Sequence, residues 1–395
     1  FRRVLFRSLQ EQKILRAVYS ERQLQEVLVD FWFNHFNVDS RKGADRFLLT
    51  EYERDVIRPR VFGRFRDLLG ATAKSPAMLF YLDNWMSVDP GGIHAPQARV
   101  VRGPFGRPML VQPPLGALGK ENDKAPKGLN ENYGRELMEL HTLGVDGGYT
   151  QQDVINAARA LTGWTFRGPA QGGGFQFVPV MHDAGAKVLL GHKLAAGRGI
   201  EDGEEVLDIV ARHPSTAKYI ATKLARRLVS DTPPGALVTR AAATFTRTDG
   251  DLRETVRTII MSPEFFARAA YRSKVKTPFE VVASAARALG AQPDTSPRAA
   301  QVVGQLGQPI YGHQAPNGWP ETGDQWMNTG AILNRINFGM VVAAGRLPGA
   351  SPAGFKDADI LQTAARELQV DGVIAALLGG DVSPDTRAIL MTGEN

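Results

Sequence analysis

Two acids three positions apart, Glu136 and Glu139, stand inside the densest polar stretch of the chain, Asn130 to Phe166. At 100° per residue, Asn132, Glu136 and Glu139 fall within about 60° of one another, because positions i, i+4 and i+7 share a helical face. Aligned carboxyls of this kind suit general acid–base work or metal ligation. The plainer reading is a solvated acidic face, with Arg135 and Glu139 forming an i,i+4 ion pair worth ~0.3 kcal/mol. Glu136 has no cation on its own helix, which makes it the stronger catalytic candidate. Arg159, on the following helix, is a candidate counter-ion for either acid and would make both structural.

Histidines add three further candidates. The run Glu136, Glu139, His141 suggests a metal site, but on an ideal helix His141 points roughly 140–160° away from both acids. Gly144 supplies a C-terminal stop, and a histidine there interacts favourably with the helix dipole. His35 ends the apolar stripe Leu24, Leu28, Phe31; Asn34 and Asn37 carry amides able to orient its imidazole. His182-Asp183 is the sharper pair, since a turn can present both side chains to a cleft, with Lys187 on the strand that follows. Metal phosphohydrolases of the HD type carry their pair on a helix, not between strands. The catalytic candidates are therefore Glu136, Glu139, His35, His182 and Asp183. Asn132, Arg135, Trp164 and Lys187 are candidate substrate contacts, with Trp164 and Trp319 as flat rings on which sugars stack. No pattern selects a metal or cofactor. A GxSxG elbow, a P-loop, HExxH and a dinucleotide fingerprint are all missing.

The elements that must hold these groups read as helices. Expected spans are 52–70, 75–85, 131–143, 151–162, 203–212, 215–229, 236–247, 251–260, 277–289, 325–345 and 357–379. Ser20 with Gln23, and Thr150 with Asp153, have capping-box spacing. Connections are short and rich in Pro and Gly, which predicts a compact all-α multi-helix assembly. One small β-hairpin insertion is expected near 170–192, from Phe175, Phe177 and Val180 to Val188–Leu190, with His182-Asp183 at its turn. Residues 86–129 read as a long loop. No repeat period is present.

Composition excludes several classes. Residues 1–8, FRRVLFRS, read as an in-frame translation of a sequencing adapter and are set aside. Without Arg2, Arg3 and Arg7 the formal charge falls from +6 to +3. So small an excess gives no reason to expect nucleic acid. The chain has no cysteine, which excludes disulfides and a thiol nucleophile. No apolar run reaches the ~18 residues of a membrane helix. The expected organisation is a single helical domain over 9–395, in a metagenomic fragment lacking its true N-terminus.

The segments FWFNHFNV, SPAMLFYLDN, NENYGRELMELHTLGVDGGYTQQDV, ARALTGWTF, HDAGAKVLLG, HPSTAKYIATKL, KTPFE and GQPIYGHQAPNGWP run in order from about residue 20 to 345. Together they resemble the bacterial domain-of-unknown-function 1800 family. The resemblance implies an exported protein, periplasmic or extracellular, encoded beside a sulfatase-like protein. It implies that His35, Asn130, Glu131, Asn132, Arg135, Glu136, Glu139, His141, Trp164, His182, Asp183 and Lys187 occupy the family's polar positions. Gly134 departs from it, since alanine is usual there. Two functions are expected. One is a hydrolase or lyase acting on a carbohydrate-like polysaccharide through carboxylate acid–base chemistry. The other is a non-catalytic surface partner or carrier of the sulfatase-like protein.

Overall fold

The computed structural model describes residues 2–91, 99–102, 108–111, 128–168, 173–294, 296–348, 350–351 and 365–393. Among these, sixteen α-helices account for about half of the described residues, and strands for few, as the periodicity predicts. They are α1 (Arg2–Tyr19), α2 (Gln23–His35), α3 (Asp45–Glu51), α4 (Phe65–Ala73), α5 (Pro76–Tyr81), α6 (Glu131–Glu136), α7 (Gln151–Ala160) and α8 (Ile200–Arg212) in the first half. There follow α9 (Pro214–Leu228), α10 (Gly235–Arg247), α11 (Leu252–Ile260), α12 (Pro278–Ala288), α13 (Arg298–Gln305), α14 (Thr329–Ala343), α15 (Arg366–Leu378) and α16 (Pro384–Thr392). No helix among the described residues is long and apolar enough to cross a membrane. Most of the 86–129 stretch lies outside the described residues. Within it, β1 (Arg99–Arg102) pairs antiparallel with β2 (Pro108–Val111). A fourth ladder joins two residues each of β7 (Gln292–Pro293) and β8 (Ala350–Ser351).

Local chemistry sets several boundaries. Thr150 and Asp153 form the expected capping box, with reciprocal bonds of 2.9 and 3.2 Å at the start of α7. The Ser20 box does not form. Gln23 Nε2 instead donates to the Ser20 carbonyl at 2.6 Å, and no side chain caps α2. Leu24 faces solvent, and the buried stripe of α2 runs through Leu28, Phe31, Trp32 and His35. The expected 131–143 helix is interrupted. After Glu136 it widens into a π-turn over Leu137–Thr142, where Thr142 Oγ1 donates to the Leu137 carbonyl at 2.6 Å and the Leu143 N–H to Met138 at 2.9 Å. A second π-turn, Tyr52–Ile57, breaks the expected 52–70 helix. Such wide turns often mark functional places in helices.

The β region is real but paired differently from the expected hairpin. β4 (Phe175–Phe177) pairs back with β3 (Trp164–Phe166), placing Trp164 opposite Phe177. β5 (Lys187–Leu189) pairs forward with β6 (His192–Leu194). His182-Asp183 therefore follows a 3-10 turn (Pro179–Met181) between two separate ladders, and is not the tip of one. The core gathers α2, α4, α7, α8 and α9, with Trp32, Phe65, Val154, Val206 and Ile220 fully or almost fully buried. Trp164 is part of it: a Cβ on Gly203 of α8 would lie 2.3 Å from its ring, so the glycine is what admits the indole.

Candidate functional site

A cleft of about 570 Å³, open to solvent, lies against the exposed side of α6. Glu136 and Asn132 form one wall. Asp39, Arg41 and Lys42 come from the loop after α2, Tyr81 and Leu82 from the end of α5, and Gln314 and Pro316 from the loop before α14. Four distant segments thus meet at one hollow.

Amides hold the cleft together. Asn37 Nδ2 donates to the carbonyls of His313 and Ala315 at 3.0 and 2.8 Å, and the Tyr81 hydroxyl donates to that of Gln314 at 2.7 Å. Asn34 accepts from the Trp319 N–H at 2.6 Å and donates to the Trp319 carbonyl at 2.9 Å. Gly318, at φ +73°, makes that approach practicable, because a Cβ there would sit 2.2 Å from the Asn34 carbonyl oxygen. The two asparagines beside His35 therefore pin the 313–319 loop and do not orient the imidazole. Asn130 performs the same service for α6. Its Oδ1 caps the Asn132 N–H at 2.9 Å, and its Nδ2 donates to the carbonyls of Leu82 and Asp83 at 3.3 and 3.0 Å.

Electrostatics separates the carboxyls. Glu136 is half-buried, and among the described residues it has no hydrogen-bond or ion-pair partner. Burial pushes its carboxyl above the ordinary value, the charge of Glu139 adds to the push, and Arg135 opposes it. Arg135 does not pair with Glu139; its guanidinium reaches Gln151 at 3.1 Å and Glu131 at 3.6 Å. On the opposite wall Asp39 takes the Arg41 Nε at 3.0 and 3.2 Å. Lys42 Nζ bonds to Asp83 at 2.8 Å and to the Tyr81 carbonyl at 2.5 Å. Behind this wall Asp45 is wholly buried, with neither carboxyl oxygen hydrogen-bonded. Among the described residues, no group of three or more His, Asp or Glu is arranged to hold a metal ion.

A model of the family described as "Protein of unknown function (DUF1800)" matches residues 2–395. The chain belongs to the DUF1800 family. No curated protein and no solved structure gives a significant match.

The remaining polar positions of this DUF1800 chain lie elsewhere. His182, Asp183 and Lys187 form a buried network beside the β3–β6 ladders. Arg159 grips Asp183 at 2.6 and 3.1 Å. Burial alone would raise the Asp183 carboxyl, but Arg159, the Gly185 N–H and Lys187 together hold it below the usual range. Lys187 Nζ bonds to Asp202 at 2.7 Å, His182 Nε2 lies 3.5 Å from the same carboxylate, and His182 Nδ1 meets the Thr162 carbonyl at 2.9 Å. Arg159 is thus spent on Asp183 and leaves Glu136 and Glu139 alone. His35 is buried among aromatic rings, with Nε2 3.0 Å from the His141 carbonyl of the π-turn. Burial, with Lys223 and His141 nearby, keeps its imidazole well below the ordinary value. His141 is likewise buried and pushed down to about 3. Trp164, fully buried, offers no face to a sugar, and Trp319 packs on His313 with ring centroids 4.5 Å apart.

Of the nine candidates, then, Glu136 and Asn132 line the cleft, and Glu139 acts on it through charge. Sequence reasoning passed over Asp39, Arg41, Lys42, Tyr81 and Asp45. The signal available was the run DSRKGAD directly after an apolar helical stripe, since charged loop residues on a rigid helix end are where sites collect.

Proposed function

We propose that this chain is an acid–base hydrolase or lyase acting on a carbohydrate-like polymer, with Glu136 as its proton-carrying group. The observation that carries this reading is the state of Glu136: a half-buried carboxyl, raised by burial and by Glu139, unneutralised, on the wall of an open polar cleft. A catalytic acid works best when its pKa approaches the operating pH, and partial burial beside a like charge is how proteins bring a glutamate there. In a hydrolytic cycle Glu136 gives its proton to the leaving oxygen as the bond breaks. Asp39, across the cleft, takes a proton from the attacking water, whose oxygen bonds to the cleaved centre. The proton given by Glu136 stays on the leaving hydroxyl, and the one on Asp39 returns through solvent to Glu136, restoring both groups. Asn132 and Gln314 have the amides to engage hydroxyls, and Arg41 and Lys42 suit acidic substituents. His35, His182, Asp183, Lys187 and Trp164 serve the scaffold in this reading. We place the protein in the periplasm or outside the cell, as the family resemblance implies.

The test is Glu136→Gln against a panel of neutral and acidic polysaccharides. Loss of a positioned acid lowers turnover by about 10²–10⁴-fold. The expected result is that loss with an unchanged Tm. Full activity in the variant, or a collapse of Tm, would remove Glu136 from the chemistry. An unsaturated product would select lyase over hydrolase.

A second reading rests on α14. Ile332, Leu333, Ile336 and Met340 share one face at helical spacing and are all exposed, Leu333 by 57%. An apolar stripe of that kind suits a protein partner, here the sulfatase-like protein. Co-purification of the two, abolished by Leu333→Glu, would favour the partner role.

A further inference from the structure

One face of α12 takes no part in the proposed site. Phe279, Glu280, Ala283, Ser284 and Arg287, preceded by Lys276, recur at three- and four-residue spacing and line a groove of about 350 Å³ against α1 and α2. KTPFE, one of the segments that marks the family resemblance, thus forms one end of it. Ala17, Val27, Val29, Val275, Phe279 and Ala283 supply an apolar interior.

The charges of the wall are unevenly matched. Glu26 takes both arms of Arg58 at 2.9 and 3.0 Å. Asp30 lies between Lys13 at 2.6 Å and Arg227 at 2.9 Å. Glu280 caps α12 through the Thr277 N–H at 2.8 Å and reaches Arg227 at 3.3 Å. Glu53 receives the Tyr311 hydroxyl at 2.5 Å and Arg58 at 3.4 Å. The acids are therefore committed. Among the cations, Lys274 is paired with Asp231 at 2.5 Å, whereas the exposed Lys276 has, among the described residues, neither a hydrogen bond nor a carboxylate for its ammonium. Among the described residues Arg287 meets only backbone carbonyls, that of Val18 at 2.8 Å.

Size and shape narrow the occupant. At the roughly 30 Å³ that a water takes in the liquid, 350 Å³ holds about a dozen heavy atoms. Pro278 and Arg287 are nine positions apart on α12, about 14 Å at a helical rise, and Lys276 lies beyond the helix start, so the groove is long and narrow. We propose that it binds a single-chain amphipathic carboxylate of about that size. The apolar chain lies along α12 and the carboxylate sits at Lys276. A neutral ligand would leave Lys276 unanswered, and a cationic one would find every acid already occupied.

The probe is decanoate, titrated calorimetrically into the whole chain below its micellar range, with decanol as the neutral control. One saturable site per chain is expected. Lys276→Met should weaken it about tenfold and decanol should bind at least tenfold more weakly. Ala283→Trp, which fills the groove, should abolish binding, and Ser284→Trp does the same from the rim if the first variant fails to fold. Binding unaffected by the tryptophan, equal affinity for decanol, or no saturable heat at all would overturn the proposal. Glu136→Gln should bind decanoate as well as the parent, which keeps this site separate from the cleft.

Discussion

Asp45 offers the sharpest quantitative test of the cleft's surroundings. It opens α3 at zero exposure, and neither of its oxygens has a partner. Burial raises its carboxyl from 3.8 to about 9, Lys42 pulls it down, and Asp39 and Asp83 push it up further. Between those two values the folded chain keeps a proton that the unfolded chain gives away. The contribution of Asp45 to stability is therefore intact below about pH 4 and is lost steadily as pH rises toward 9. At 1.36 kcal/mol per unit, the interval from 3.8 to pH 7 amounts to a cost of about 4 kcal/mol. That is a large fraction of the 5–15 kcal/mol a domain typically has. Asp45→Asn keeps the shape and the burial of a neutral polar group but has no proton to hold. It should be about 4 kcal/mol more stable than the parent at pH 7, and the gap should close to near zero at pH 4. Urea denaturation of both proteins from pH 4 to 8.5, at constant m, measures the difference. Parallel stability curves would refute the reasoning, because they would mean that Asp45 reaches water or a cation. A cost of this size beside a cleft is what selection tolerates where function requires a polar group.

Three further outcomes follow from the packing. Gly134→Ala would put a Cβ 2.9 Å from the Ala158 nitrogen and the Val154 carbonyl of α7. Overpacking costs about 1–3 kcal/mol and the helical gain is about 1, so thermal melting should show a net loss near 1 kcal/mol; a higher Tm would mean that α6 and α7 stand further apart. Lys187→Met leaves Asp202, fully buried, without its 2.7 Å ammonium. Breaking a buried pair outright costs about 3–5 kcal/mol; Arg198 stays 3.0 Å from Asp202, so the loss should fall at the lower end of that range, and an unchanged denaturation midpoint would show that the pair is not desolvated. His141 is held down to about 3 against 6.5 when unfolded, so below pH 6.5 the unfolded chain takes up a proton that the folded chain refuses. His141→Gln should therefore flatten the acid limb by about 1.4 kcal/mol per pH unit between about 6 and 4, read as stability against pH.

Periodicity and caps made the helices legible. Thr150 and Asp153 do what their spacing implies, and α7 ends within two residues of the expected place. The 100° count held for Asn132 and Glu136 because those residues precede the π-turn. It failed beyond them because no single residue in LMELHT announces a wider turn. The pairing of β3 with β4 was hidden for a related reason: Phe175 and Phe177 read as a hairpin arm facing Val188–Leu190, and nothing local marks Trp164 as a strand partner, whose place depends on the distant Gly203 that admits its indole. His182, Asp183 and Lys187 show the harder limit. Their spacing is as consistent with a cleft as with a core. Only the arrival of Arg159 and Asp202 from two other helices, at 2.6 and 2.7 Å, decides that the charges are answered.

That contrast is also the physical argument for the cleft. Buried charge is costly unless paired, so a scaffold tends to close its ion pairs, and the network around Asp202 does so with Lys187 and Arg198. Glu136, on the wall of the hollow, and Asp45, behind it, break that tendency, and Tyr81 lies near both: its burial first, then Asp39, Asp45 and Glu136, push its phenol upward. A fold able to bring Arg159 onto Asp183 had equal chemical means to neutralise Glu136, and Arg135 stands one residue away pointing at Gln151. An unanswered acid, Glu136, at the junction of four separate segments fits a site whose missing partner is a substrate better than it fits a scaffold.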